Sequence, residues 1–242
     1  MIRVRVERLR GSAPREVGAW MLVLPHDTQG SIGGGALESI AIDKARAMLK
    51  AGQDSAHLET ALGPEIAQCC GGWVALSFQR VDTAPAADPR HDLLIFGAGH
   101  VGRALARAAV LLPLNVSVYD QRAEELARLD AGRSHLTALP EAAIRAARPG
   151  SAFVIATHDH ALDFALATEA LRRGDAAYIG LIGSATKRAR FDAHVRREGL
   201  DPGPLICPIG AGFSPDKRPE IIAAFTAAEI IATLTKGPKC AS

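Results

Sequence analysis

The chain opens Met-Ile-Arg-Val-Arg-Val, charged and β-branched residues in strict alternation, the period-two pattern of a strand with one buried face. Strands are expected over about 2–8 and 18–24, joined through Gly11-Ser-Ala-Pro-Arg-Glu16. A glycine-rich turn then leads into a helix from Ala36 to Lys50, where Leu37, Ile40, Ala41, Lys44, Ala47 and Met48 recur at helical spacing and Gly52 follows the end. Further strands are expected over 56–62 and 73–81. Residues 80–91 carry two prolines, small residues and charges without periodicity, which is linker composition.

Beyond the linker, strand and helix patterns alternate. Strands are expected at Asp92–Phe96, Val116–Tyr119, Phe153–Ala156, 176–182 and 205–206, with helices at Val101–Leu112, Glu141–Ala147, 161–173, 185–198 and 217–236. Such alternation predicts a parallel sheet covered on both faces. The fold class expected is α/β: a C-terminal Rossmann-like doubly wound sheet over 91–242, with a smaller α+β domain over 1–81. A domain of about 80 residues has a thin core, so docking or a homodimer is expected.

Composition narrows the function classes. With 48% hydrophobic residues the chain offsets its ordering entropy by burial, which excludes disorder. The balance of 28 Lys+Arg against 26 Asp+Glu gives no support to non-specific nucleic-acid binding. No apolar run approaches the roughly 20 residues that span a bilayer, and the charged N-terminus lacks a signal-peptide core, so no membrane association and a cytoplasmic location are expected. Four cysteines, only Cys69 and Cys70 adjacent, form no disulfide framework.

Gly97-Ala-Gly-His-Val-Gly102 is G-x-G-x-x-G directly after an apolar strand and opening a helix, with Asp120 ending the next strand. Gly97 and Gly99 suit a tight turn and close backbone approach, Gly102 suits helix packing, and the helix N-terminus offers N–H groups to a phosphate. Asp120 suits ribose hydroxyls, which favours NAD over NADP, and Arg122 softens that preference. The same geometry serves any phosphate-bearing ligand, and His100 either faces that ligand or caps the helix in solvent.

Gln68-Cys69-Cys70-Gly71-Gly72 pairs two thiols with flexible, N–H-exposing glycines, a setting for a soft metal ligand or persulfide chemistry. In Gly30-Ser-Ile-Gly-Gly-Gly-Ala-Leu-Glu38, backbone donors at Gly33 and Gly34 either hold an anion or simply make the turn; Arg15 upstream is a phosphate partner or a surface charge. Thr157-His-Asp-His-Ala-Leu-Asp163 follows a strand, where α/β sheets place ligands; its spacing does not complete a metallohydrolase site, and His158 and Asp159 are expected to orient a ligand in an interdomain cleft. A phosphate fits among Gly183, Ser184 and Lys187, or the segment is a basic solvated helix face. Neither a nucleophile elbow nor a P-loop motif occurs.

In order along the chain, Gly11-Ser-Ala-Pro-Arg-Glu, Gly30-Ser-Ile-Gly-Gly-Gly-Ala-Leu-Glu, Gln68-Cys-Cys-Gly-Gly, Phe96-Gly-Ala-Gly-His-Val-Gly, Thr157-His-Asp-His-Ala-Leu-Asp and Tyr178-Ile-Gly-Leu-Ile-Gly-Ser make the sequence resemble the XdhC/CoxI family, maturation factors of xanthine dehydrogenase and related molybdenum hydroxylases. The resemblance implies a factor that binds molybdenum cofactor (molybdopterin), shields it while a cysteine-desulfurase-type partner sulfurates it, and delivers it to the molybdenum-binding subunit of the dehydrogenase. Cofactor biosynthesis proteins are further implied partners, and no turnover by the factor itself is required. On this sequence the thiol at molybdenum would be Cys69 or Cys70, the phosphate would sit on the glycine turns at Gly33, Gly34, Gly183 and Ser184, and the Rossmann half, with Gly97, Gly99, His100, Gly102, Asp120 and His158, would complete the cleft. Phe213 and Arg218, within Gly210–Glu220, depart from the family pattern. Two other readings stay open: an NAD(P)-dependent oxidoreductase with His158 as proton donor, and a sulfur relay through Cys69 and Cys70.

Overall fold

The structure is a computed structural model and describes residues 1–63, 71–83, 90–212 and 214–235; Cys69, Cys70 and Phe213 lie outside them. The chain divides into two compact units, Met1–Ala87 and Asp88–Ser242.

The first unit is an antiparallel sheet with one long helix. Its elements are β1 (Ile2–Arg10), β2 (Trp20–Val23), β3 (Thr28–Gly30), α1 (Gly35–Ala51), β4 (Ser55–Ala61) and β5 (Trp73–Arg80), and the strand order is β3-β2-β1-β5-β4. The alternation read at the N-terminus has its physical meaning here: Ile2, Val4 and Val6 are buried with Met21, Val23, Val74, Leu76 and Phe78 against Leu37, Ala41, Ala45 and Met48 of α1. Each large apolar side chain buried this way contributes about 1.5–3 kcal/mol. Helix α1 stops at Gly52, which is left-handed and returns its N–H to the Met48 carbonyl. β3 has no counterpart in the sequence reading, because three half-buried or exposed residues carry no periodicity.

The second unit comprises β6 (His91–Phe96), α2 (His100–Ala109), β7 (Leu114–Asp120), α3 (Ala123–Leu126), β8 (Arg133–Leu136), α4 (Pro140–Ala146), β9 (Ala152–Ile155), α5 (His160–Arg173), β10 (Tyr178–Leu181), α6 (Ala185–Arg197), β11 (Leu205–Ile206) and α7 (Pro219–Leu234). All six strands are parallel in the order β11-β10-β9-β6-β7-β8, so the chain reverses direction across the sheet between β6 and β9. Burial on both faces explains the unbroken apolar runs. Leu93, Ile95, Ala152 and Val154 pack on α2 and α7, whereas Leu94, Phe96, Phe153 and Ile155 pack on α4, α5 and α6. The doubly wound Rossmann-like class expected from sequence is therefore the class observed.

Helix α2 ends at Ala109, short of the expected Leu112, because Pro113 disfavours helical backbone before it; Leu111 is left 85% exposed. The edge strand β8 is polar, Arg-Ser-His-Leu, and carries no strand pattern to detect.

Candidate functional sites at the glycine turns and the sheet edge

In the first unit three of the glycine-bearing motifs meet. A Cβ on Gly72 would stand 2.0 Å from the Ser12 carbonyl oxygen, and one on Gly33 would stand 2.6 Å from Pro14 Cβ. Backbone bonds from Leu62 to the Gly72 carbonyl (2.7 Å) and from Gly71 to the Leu62 carbonyl (2.8 Å) fix both roots of the segment that carries Cys69 and Cys70. The anion held by the Gly30–Gly35 turn is the chain's own. Glu38 Oε1 accepts from Ile32 N (2.9 Å), Gly33 N (3.2 Å), Gly34 N (2.9 Å) and Ser31 Oγ (2.5 Å). Partial burial pushes the Glu38 carboxyl up, but these donors outweigh it and hold the group below its usual range. The sequence leaves two readings of this turn, an anion site and a plain strand-to-helix turn, and in the structure the N–H groups of Gly33 and Gly34 donate to Glu38. Arg15 donates to Glu16 and to the Ser31 carbonyl.

In the second unit the loops after β6, β9, β10 and β11 crown the C-terminal edge of the sheet, where open α/β folds bind ligands. Gly97 (φ +110°) and Gly102 are demanded by the fold itself, since a Cβ would stand 2.2 Å from the Ala156 oxygen and 1.8 Å from the Gly97 oxygen respectively. Gly99 is different. Its φ is −66°, and a Cβ there meets nothing within 4 Å. His100 is exposed at the first position of α2.

Asp120 is buried and committed. It accepts from Ala98 N (2.7 Å), Arg122 N and Nε (both 3.0 Å) and Arg122 Nη2 (2.9 Å). Burial pushes its carboxyl up, and the Arg122 and Ala98 hydrogen bonds overcome that and hold it low. The recess beside it, lined by Gly97, Tyr119, Gln121, Thr157 and His158, has about 10 Å³, room for about one water. A ribose expected on Asp120 finds the carboxylate tied to Arg122 and the recess closed.

The open space lies over β9 and β10. A cleft of about 720 Å³, within the size range of small-molecule sites, is lined by Thr157, His160, Gly183, Ser184, Lys187 and Arg190, among others. Its Lys187 belongs to a buried ion pair. Lys187 Nζ donates to Asp163 Oδ2, and Asp163 Oδ1 accepts from Thr157 N (3.0 Å) and Thr157 Oγ1 (2.7 Å); Asp163 is 1% exposed. Ser184 caps α6 by accepting from Lys187 N (3.2 Å). Asp159, read from sequence as a ligand-orienting residue, caps α5 by accepting from Ala161 N and Leu162 N, while His158 stays exposed. A Cβ on Gly183 would stand 2.8 Å from Lys187 Cδ and 3.2 Å from Cys207 Sγ, so this glycine makes room for both side chains. Burial pushes the Cys207 thiol up against the opposing pull of Lys187 and Arg188. Asp163, Arg190 and Cys207 escaped the sequence reading as site residues. The signal that finds them is strand order, which places whatever follows β9, β10 and β11 on the ligand edge.

Comparison with known proteins agrees with this architecture. A protein of Escherichia coli (strain K12) named uncharacterized protein YqeB is 27% identical over 95% of this chain, and the chain spans 42% of that relative's length. A crystal structure from Bacillus halodurans described as a xanthine dehydrogenase superposes with a TM-score of 0.81 over 100% of this chain and 93% of its own, at 19% identity, a likeness of fold. Residues 1–60 match the XdhC and CoxI family, and residues 93–230 match the XdhC Rossmann domain. With the doubly wound sheet and its glycine loop accounted for, the chain belongs to the XdhC family.

Proposed function

We propose that the protein is a maturation factor for xanthine dehydrogenase or a related molybdenum hydroxylase, which binds molybdenum cofactor, protects it during sulfuration and hands it on. Family membership supports the role in xanthine dehydrogenase maturation. The observation that carries cofactor binding is the preformed cleft of about 720 Å³ whose wall, the Gly183–Ser184 turn, leads into the cationic start of α6.

The residues present fit such a ligand. Gly183 lines the cleft and leaves room for the Lys187 side chain, Lys187 and Arg190 offer cationic donors to a phosphoryl group, and the Ser184-capped helix points its N-terminus at the same place. The cofactor, when bound, supplies the molybdenum on which the recipient enzyme's chemistry runs. In this reading the chain contributes binding and exclusion of water, with Cys69 or Cys70 as the soft thiol for the metal. The partners are a cysteine-desulfurase-type sulfur donor, cofactor biosynthesis proteins and the molybdenum-binding subunit of the dehydrogenase, and the factor acts as a homodimer in the cytoplasm. No helix among the described residues is long and apolar enough to cross a membrane.

One observation favours the NAD(P)-dependent alternative. Gly99 faces open space at a helix N-terminus, as a pyrophosphate site would require, whereas the committed Asp120 and the water-sized recess beside it oppose a bound nucleoside. The deciding experiment is anaerobic incubation with freshly released molybdenum cofactor, desalting, and quantification of molybdenum and pterin fluorescence, with NAD(H) titrated in parallel. Near-stoichiometric molybdenum and pterin, lost in Cys69→Ala or Cys70→Ala, is the expected result. Tight NAD(H) binding with no retained molybdenum overturns the maturation reading.

A further inference from the structure

The Ile182–Ser184 turn walls two recesses. Besides the cationic cleft there is one of about 440 Å³, lined by Pro208, Ile209, Ala211, Pro215 and Ile222. The two differ in chemistry. In the first, Ser184, Lys187 and Arg190 recur every three residues and so share one face of α6. Lys187 spends one of its three donors on Asp163, and Arg190 is exposed and makes no ion pair with any described residue. In the second, two prolines and three isoleucines make apolar walls, and the nearest carboxylate, Asp216, is held by Arg218 Nε (2.9 Å) and Nη2 (2.7 Å). Apolar walls with a few polar groups at the rim suit a flat heterocycle; uncompensated guanidinium beside a lysine suits a phosphoryl dianion.

We infer that the two recesses form one bipartite site for a phosphorylated, pterin-type heterocycle. The ring lies among Pro208, Ile209, Pro215 and Ile222, the phosphoryl group is held by Lys187 and Arg190, and the ligand crosses over the Ile182–Ser184 turn that lines both recesses. Asp163 is a positioning residue, because it holds Lys187 while Thr157 holds Asp163. The assignment rests on the maturation reading for the choice of a pterin, and it adds where each part of the ligand is read.

The test is equilibrium binding, followed by pterin fluorescence, of neopterin and neopterin monophosphate to the wild-type protein and to Arg190→Ala and Ala211→Trp. Both altered side chains are exposed, so thermal melts by circular dichroism are expected to coincide with wild type. Wild type should bind the monophosphate about tenfold more tightly than neopterin, Arg190→Ala should erase most of that preference without changing the affinity for neopterin, and Ala211→Trp should weaken both probes about tenfold. Wild type that binds neither probe, a preference that survives in Arg190→Ala, or unchanged affinities in Ala211→Trp each overturn the site. Molybdenum retention by the same three proteins separates the two ideas. Probe discrimination as stated with no retained molybdenum removes the maturation reading alone; retention equal in all three removes the site alone.

Discussion

The two glycine turns, Gly30–Gly35 and Gly97–Gly102, start from similar material and spend their N–H groups differently. Each joins a strand to a helix, and in each the fourth helical residue reaches back to the turn. In α1 that residue is Glu38, an acceptor, and it consumes the N–H groups of Ile32, Gly33 and Gly34. In α2 it is Arg103, a donor, whose Nη1 binds the Ala98 carbonyl (2.6 Å) and Glu125 (2.5 Å) and leaves the head of the helix without any side-chain cap. The two turns thus differ in which N–H groups are spent: Glu38 takes those of Ile32, Gly33 and Gly34 from within its own helix, whereas in the second turn a carboxylate from the next strand, Asp120, takes that of Ala98. Glycine content alone does not distinguish them.

The largest effect expected on this contrast is from Gly102→Ala. Its Cβ meets backbone rather than a yielding side chain, so the turn must open, at a cost of about 3 kcal/mol in chemical denaturation. Glu38→Gln comes next, at about 1 kcal/mol, since an amide oxygen replaces a charged acceptor. This variant also has a pH signature. The Glu38 carboxyl is held below its ordinary 4.5 in the folded protein, so its stabilisation is complete above that value and is lost as pH falls through the lower folded one. Acid titration of stability should therefore be flatter in Glu38→Gln than in wild type. Gly99→Ala should be the mildest for the fold, about 0.5 kcal/mol at a helix N-cap. Melts close to wild type together with lost ligand retention would show that this glycine answers to a ligand, and unchanged retention would show that the open turn is not used.

What the sequence made legible followed from local period and context. Leu93–Phe96 and Phe153–Ile155 are apolar because both sheet faces are covered, so their runs announce buried strands; Val116 and Val118 flank a half-buried Ser117 and announce theirs by alternation, and the glycine spacing fixes the turn that follows β6. Short elements with little burial were not legible: β3, α3 and the polar edge strand β8 carry no pattern to read. Within the sites, residue types were legible and their commitments were not. Nothing in the spacing tells that Asp120 is tied by Arg122 or that Glu38 turns back on its own loop. The Asp163–Lys187 pair joins residues 24 apart through the parallel packing of β9 and β10, an adjacency that only the sheet creates.

The Asp163 carboxylate acts mechanically as a strut. One oxygen braces the loop after β9 through two bonds from Thr157, and the other braces α6 through Lys187, so the two walls of the large cleft are tied to one buried point. Both walls are thereby braced by the chain's own hydrogen bonds. A ligand entering the cleft would spend little on ordering these walls, and its residence would be governed by the strength of its own contacts.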